Sequence, residues 1–148
     1  MIYVVNITSE DGNVIELGKE LADSEQGNTI TNVEIFLDTS DDASRQKSLE
    51  MLARIEISVN ILADSSESKT NCKALFDWAK SLDKSQWYRE VVIEVKTDNE
   101  NVFRTYRFEK MFVLDYIENY SLERSNNPGT FKLKLMQKEN NFKTIETY

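Results

Sequence analysis

Residues 52–61 read Leu-Ala-Arg-Ile-Glu-Ile-Ser-Val-Asn-Ile, and this stretch decides the fold class. Apolar side chains occupy the odd positions from Ile55 to Ile61, and polar side chains occupy the even positions from Arg54 to Asn60. A period of two is typical of a β-strand with one face in a core and the other in water. We therefore predict a half-buried strand here, with the aliphatic residues on the core face.

The same alternation recurs in shorter segments on both sides of this stretch. Clusters of turn residues separate these segments, among them Glu10-Asp11-Gly12-Asn13 and Ser125-Asn126-Asn127-Pro128-Gly129. Two stretches, residues 18–31 and 38–48, are polar and acidic and are predicted to be loops. The other predicted strands are 2–7, 14–17, 33–38, 88–96, 102–108, 111–120 and 131–136, with a last strand in the tail 142–148.

One segment has a helical period instead. Apolar residues recur there at spacings of three and four, which places them on one face of an α-helix and predicts a helix over about residues 70–83. We expect this stripe to pack on the sheet, with the single cysteine acting as a small buried hydrophobe rather than a reactive thiol. The stripe consists of Cys72, Leu75, Phe76, Ala79 and Leu82.

The predicted fold is mainly β: an antiparallel β-barrel or two-sheet sandwich with one flanking α-helix. The chain has 148 residues, of which 40% are hydrophobic and 30% charged. That length and composition suit one globular domain spanning residues 1–148.

Composition excludes much enzyme chemistry. There is no histidine and only one cysteine, so Ser-His-Asp and Cys-His nucleophile systems, thiolate zinc sites and intrachain disulfides are ruled out. The four glycines form no phosphate-binding loop. We therefore expect no enzymatic activity, no cofactor and no metal.

Acidic residues concentrate in the first half of the chain. The net charge is −8, and residues 1–75 hold 14 acidic and 6 basic residues. This balance argues against a nucleic-acid partner. Asp38, Asp41 and Asp42 lie close together, but they lack the glycine and closing glutamate of a calcium loop. The acidic half either keeps the chain soluble or faces a basic partner.

The element order from residue 49 onward resembles that of a known family. An alternating strand at 55–61 and a helix at 72–82 are followed by three strand segments at 87–95, 106–116 and 129–138. This order is similar to that of the tube-protein superfamily of contractile injection systems. The superfamily includes phage tail-tube proteins, tail-like bacteriocin relatives and the hemolysin-coregulated protein of type VI secretion.

The resemblance implies a structural role. Such proteins form hexameric rings that stack into a tube, or serve as tube-like baseplate components, beside sheath, spike or baseplate proteins. It implies no catalysis. The charge balance and the lack of a long apolar run predict no direct contact with nucleic acid and none with a membrane. In a stacked tube, the acidic loop residues Asp38, Asp41 and Asp42 are candidate inter-subunit contacts. No targeting segment is visible, so we expect cytoplasmic synthesis and assembly into a particle that leaves the cell, if at all, without a signal peptide.

A second hypothesis comes from a different class of protein. The acidic balance also suits a monomeric adaptor or immunity-type module that neutralises a basic partner. The mass in solution discriminates the two, because rings or polymers favour a tube subunit and a strict monomer favours the adaptor.

Overall fold

In a computed structural model of the chain, the described residues are 1–18, 29–39, 51–62, 65–97, 101–121 and 129–148. The prediction of a mainly β fold with one flanking helix is confirmed for this part of the chain. The elements are β1 (Ile2–Thr8), β2 (Val14–Leu17), β3 (Ile30–Thr39), β4 (Met51–Ile61), α1 (Ser66–Lys80), β5 (Arg89–Lys96), β6 (Val102–Tyr120), β7 (Gly129–Gln137) and β8 (Glu146–Thr147), with 3₁₀ turns at Lys84–Gln86 and Phe142–Thr144.

The strands form one antiparallel hydrogen-bonded sheet in the order β2-β1-β5-β6-β7-β4-β3, and β8 pairs with β6 beside this path. Among the described residues no hydrogen-bonded ladder closes the sheet into a barrel. Instead the sheet folds over on itself, so that β1 contacts β3. The prediction left barrel and sandwich open, and the structure has a single open sheet with its core inside the fold.

The strand β6 joins the two halves of the sheet. Residues 102–111 of β6 pair with β5, and residues 111–120 pair with β7 on the opposite side. We call β2, β1, β5, β8 and the first half of β6 the first leaf, and the second half of β6 with β7, β4 and β3 the second leaf. Sequence analysis predicted two separate segments, 102–108 and 111–120, but a bulge carries the chain through without a break.

That bulge lies at Lys110, which has a left-handed backbone with φ of 57°. The register of β5 on β6 shifts at this point. Two consecutive residues at the end of β7 stabilise the bulge. The main-chain N–H of Lys138 donates to the Lys110 carbonyl at 2.8 Å, and the side-chain amide of Gln137 donates to the Glu109 carbonyl at 2.9 Å. A bulge bends its strand, which lets one strand belong to both leaves.

Buried side chains of both leaves form one core. The strand that the sequence singled out contributes Ile55, Ile57, Val59 and Ile61 on its inner face, as predicted. Valine and isoleucine residues of β1 and β5 face them together with Phe108, and Leu133 and Leu135 complete the second leaf. The Asp11-Gly12 turn also forms as predicted, with Gly12 at φ of 88° and its N–H bonded to the Ser9 carbonyl.

The helix differs from its prediction at both ends. It begins at Ser66 rather than near residue 70, because the side chain of Ser65 caps it by accepting the N–H of Ser68. It ends at Lys80 rather than near 83. The polar first turn carries no apolar signal, and this is why periodicity alone placed the start too late.

The apolar stripe of the helix was predicted only in part. Leu75 is fully buried and Cys72 packs against the core, as expected. Phe76 and Leu82 are exposed, at 52% and 91%, and Ala79 is exposed as well. The helix instead buries Ser68 and Trp78 beside Leu75, so its inner face is rotated from the predicted one.

Strand β3 includes residues that were predicted to belong to the two loops. β3 extends from Ile30 to Thr39, so residues 30–31 and 38–39 belong to a strand rather than to the loops 18–31 and 38–48. The pairing of β3 with β4 continues to Thr39 opposite Met51 and carries the strand past the apolar positions. Residues 19–28 and 40–50 lie outside the described part of the chain.

Candidate assembly surfaces

The second leaf has two strand edges without a strand partner in the described part of the chain. β6 pairs with β7 along residues 111–120. On its other side, the pairing of β6 with β5 ends at Arg89–Met111, so the rest of β6 has no described strand partner on that side. β3 pairs with β4 on one side only. We call these the open edges. Unpaired edges present main-chain donors and acceptors to any strand that approaches them.

The two open edges run in opposite directions. β6, β7, β4 and β3 are neighbours in that order, and each pair is antiparallel. With four strands, the strand at one edge is therefore antiparallel to the strand at the other. A second copy related by rotation about an axis along the strands would place its β6 edge antiparallel to the β3 edge of the first. The leaf can therefore continue across copies with antiparallel pairing at each seam.

The strands at these edges carry apolar side chains in contact with water. Leu114 and Ile117 of β6 are 45% and 49% exposed, and Leu37 of β3 is 61% exposed. Between the edges the outer face is polar, because Lys132 and Lys134 of β7 both lie 3.8 Å from carboxylate oxygens of Glu56. Ile117 pairs with Lys132 on this outer face, whereas Leu37 pairs with the buried Ala53 and lies on the core side of the leaf.

The corresponding edge of the first leaf is covered. Tyr106 and Arg107 of β6 pair with β8, and Thr105 exchanges two main-chain hydrogen bonds with Tyr148 at 2.7 and 3.0 Å. Arg107 contacts the carboxylates of Glu90, Glu109 and Glu146 at 2.9, 2.7 and 3.4 Å. In the first half of β6, the side that faces β8 is therefore covered by the C-terminal residues of the described chain.

A cavity of about 410 Å³ lies where the end of α1 meets the bulged part of β6. We call it the aromatic pocket. The rings of Trp78, Trp87, Tyr88 and Phe112 line it, together with Ala79, Ser81 and Val113. Hydrogen bonds fix its walls: the indole N–H of Trp78 donates to the Trp87 carbonyl at 3.0 Å, and that of Trp87 donates to the Ser81 carbonyl at 2.9 Å.

A half-buried polar cluster lies between α1 and β6. The hydroxyl of Tyr116 donates to Glu118 at 2.7 Å, and that of Tyr120 donates to the same carboxylate at 2.9 Å. Burial and the neighbouring carboxylate raise the pKa of Tyr116 far above its ordinary value. Burial also raises the pKa of the Cys72 thiol, which disfavours the reactive thiolate.

Of the three predicted contact residues, the structure describes the position of Asp38 only. The backbone of Asp38 lies in β3 opposite Leu52 of β4, at one of the two open edges. Asp41 and Asp42 lie outside the described residues, so their role as inter-subunit contacts stays a prediction. The described ranges contain no cluster of three or more side chains able to hold a metal ion, and no helix of theirs has the length and apolarity to cross a bilayer.

Several solved structures have the same overall arrangement. Hcp1 from Flavobacterium johnsoniae superposes with a TM-score of 0.52 at 18% identity, covering 97% of this chain and 94% of that one. Hcp1 from the E. coli EAEC 042 pathovar reaches 0.62 at 12% identity, covering 100% and 98%. This chain has the Hcp fold.

Components of extracellular injection particles share that fold. A chain of the anti-feeding prophage baseplate, a 6-fold symmetrised structure, matches with a TM-score of 0.51 at 11% identity, covering 99% of this chain and 92% of that one. No protein-family model and no curated protein sequence matches the chain. The resemblance seen in the element order is thus confirmed at the level of the fold.

Sequence reasoning missed the aromatic pocket and the open edges. Trp87 and Tyr88 fell at the start of the predicted strand segment 87–95, and Trp78 fell outside the predicted stripe. The spacing of Leu75 and Trp78 by three could have placed both on one helix face. An open edge, by contrast, depends on which strands pair, and the alternation within a single strand carries no such signal.

Proposed function

We propose that this chain is a structural subunit of a contractile injection system or phage tail-like particle. Its copies form rings of six that stack as an inner tube or serve as a tube-like baseplate component. The observation that carries the proposal is the pair of open, mutually antiparallel edges on the second leaf. Pairing one edge with the other edge of the next copy is a head-to-tail contact, and such contacts close into rings when the rotation permits.

The Hcp fold supports this assignment, because the similar chains come from tube, cap and baseplate structures of injection particles. The number six follows the 6-fold symmetry of the prophage baseplate structure. The partners we propose are further rings of the same chain and the sheath, spike or baseplate proteins of one particle. We propose that the chain has no enzymatic activity. We also propose that it is synthesised in the cytoplasm and assembled into a particle that is released or exported without a signal peptide.

Blocking one open edge tests the proposal. The double variant Leu114→Lys and Ile117→Lys places two charges on the exposed positions of the β6 edge, where a seam would desolvate them. The matched control is Val14→Lys, an apolar-to-lysine change at a residue of β2 that is 51% exposed. Light scattering and electron microscopy at high concentration measure assembly, and urea unfolding measures the fold.

We expect rings from the parent chain and from Val14→Lys, and monomers with an unchanged unfolding midpoint from the double variant. A parent that stays monomeric at every concentration would overturn the proposal and favour the acidic adaptor or immunity-type module. If the double variant assembles like the parent, the β6 edge is not part of the contact between copies.

A further inference from the structure

The aromatic pocket lies at the end of the β6 open edge, where β5 stops pairing with β6. Two of its lining residues, Phe112 and Val113, directly follow the last pair of that ladder, Arg89–Met111. Tyr88 lies outside the ladder and contacts Phe112 edge-on, with ring centres 6.0 Å apart. The pocket therefore occupies the corner between the chain that leads into β5 and the free side of β6.

The wall that β6 gives the pocket lies on the core side of the second leaf. Val113 pairs with the buried Leu135 of β7, and Trp78 of α1, which belongs to the core cluster, lines the same cavity. Side chains of neighbouring strands in one row project to the same side of a sheet. A strand that continues the leaf along the β6 edge would therefore reach the pocket with side chains of its own core side.

The other open edge carries an uncovered leucine on that side. Leu37 pairs with the buried Ala53, so it lies on the core side of β3. Val33 and Ile35, which precede it on the same face, are packed against the core, whereas Leu37 is 61% exposed. Leu37 is therefore an apolar side chain of the core face that is largely uncovered in the single chain.

Strand polarity brings this end of β3, and not its other end, to the pocket. Antiparallel pairing between copies sets the last residues of β3 beside the first residues of the β6 open edge. Within one leaf, Ile35 shares a row with Val113 through Ile55 and Leu135. With the same register between copies, Leu37 falls one row before Val113, and a shift of two residues along β6 sets it opposite Val113. Both positions adjoin the pocket.

A subunit cannot place its own Leu37 in its own pocket. β7 and β4 lie between β6 and β3. The two edges are therefore three strand spacings apart, or roughly 14 Å. Buried side chains such as Ile55 and Leu135 fill the core side between them. Leu37 and the pocket can therefore meet only between two copies, as a head-to-tail contact that repeats at every seam of a ring.

We propose that the aromatic pocket binds Leu37 of a neighbouring copy of this chain. The side chain of Leu37 enters among the four aromatic rings, beside Val113, and leaves water there. This inference rests on the proposed function, because the contact forms only where the two open edges pair. It deepens that function by naming the side chain that anchors one copy on the next, in a preformed pocket of the kind that binding hot spots fill.

Cross-linking tests the contact directly. Ala79→Cys places a thiol at the pocket and Leu37→Cys places one at the β3 edge, both in a Cys72→Ala background because Cys72 is the only cysteine of the chain. The doubly substituted chain should give a ladder of disulfide-linked multimers on mild oxidation. A mixture of the two singly substituted chains should stop at dimers, and Val14→Cys in place of Leu37→Cys should give no ladder.

Tryptophan fluorescence supplies a second measurement, because both tryptophans of the chain line the pocket. The emission of the parent should move to shorter wavelength as rings form, since the leucine excludes water from the indole rings. Leu37→Ser should require roughly tenfold or more protein for the same change. The matched control is Val14→Ser, a change at a residue of β2 that is 51% exposed, and it should associate like the parent.

A double-mutant cycle separates the pocket from the rest of the seam. Ala79→Phe fills the pocket from an exposed position of α1 and should weaken association as Leu37→Ser does. The two changes together should weaken it no more than the stronger of the two alone, because both remove the same contact. Urea unfolding midpoints equal to that of the parent would show that the fold is intact. Additive effects would place Leu37 in a different contact and overturn the inference.

The outcomes separate this inference from the proposed function. If Leu37→Ser and Ala79→Phe form rings at the same concentration as the parent and no ladder appears, the pocket contact is wrong while the tube subunit stands. If the parent stays monomeric at every concentration, both are wrong. If anilinonaphthalene sulfonate quenches the tryptophans of assembled rings as strongly as those of the monomer, the pocket stays open in the assembly and the inference is overturned.

Discussion

Gln137 donates a hydrogen bond of 2.9 Å from its side-chain amide to the main-chain carbonyl of Glu109, and Gln137 is only 1% exposed. Glu109 precedes Lys110, the left-handed residue of the bulge in β6. A buried side chain of β7 thus satisfies a main-chain acceptor that the bulge takes out of the ladder. The bend on which the two leaves depend is stabilised from the second leaf.

Gln137→Glu should destabilise the fold at neutral pH. The substitution keeps the shape but replaces the donating amide with a carboxylate that faces the carbonyl of Glu109, which should cost about 1–3 kcal/mol. Burial raises the pKa of such a carboxyl group, so the loss should be smaller at pH 4 to 5, where the protonated acid can donate. Urea unfolding at the two pH values measures this. Asn119→Asp, at an exposed position of β6, is the control and should change little.

Leu75→Ala should cost about 2–5 kcal/mol, because Leu75 is fully buried between α1 and the sheet. Leu82→Ala should cost less than about 0.5 kcal/mol, since Leu82 is 91% exposed. Denaturant unfolding of the two variants compares these values. Equal losses would show that the helix does not bury the face described here.

Alkaline pH should destabilise the chain through Tyr116. Its pKa is raised in the folded state, so the folded protein keeps a proton that the unfolded chain loses above pH 10. The stability is therefore fully present below pH 10 and falls as pH rises beyond it. Tyr116→Phe should make the fall between pH 10 and pH 11.5 shallower in urea titrations. Tyr148→Phe, at a residue that is 73% exposed, should leave the slope unchanged.

Charge reversal at Asp38, Asp41 and Asp42 should weaken stacking or docking of a partner and leave the unfolding midpoint unchanged. Charged positions outside a core contribute little to stability, whereas reversed charges at a contact repel the partner that the acidic residues attract. Electron microscopy of assembled particles and thermal unfolding measure the two effects. Assembly equal to the parent would assign these residues to solubility alone.

Much of the fold follows from single-strand patterns. The alternation of Ile55 to Ile61 predicted which face of β4 is buried, and the Asp11-Gly12 turn predicted the first hairpin. The continuity of β6 could not be predicted, because the bulge at Lys110 shifts the alternation and imitates a break between strands. The aromatic pocket was missed because it joins Trp78 on α1 to Phe112 on β6, two residues that tertiary packing brings together.

The order of the strands in the sheet has a consequence for synthesis on the ribosome. β1 and β4 are made early, yet their partners β5 and β7 follow much later, as the pairs Tyr3–Val95 and Val59–Phe131 show. Until then only the hairpins β1–β2 and β3–β4 can form, each with a long apolar strand lacking its second neighbour. Strands that lack a sheet neighbour during synthesis can pair with strands of other chains. The time taken to translate residues 62 to 137 therefore sets how long a nascent subunit is exposed to aggregation.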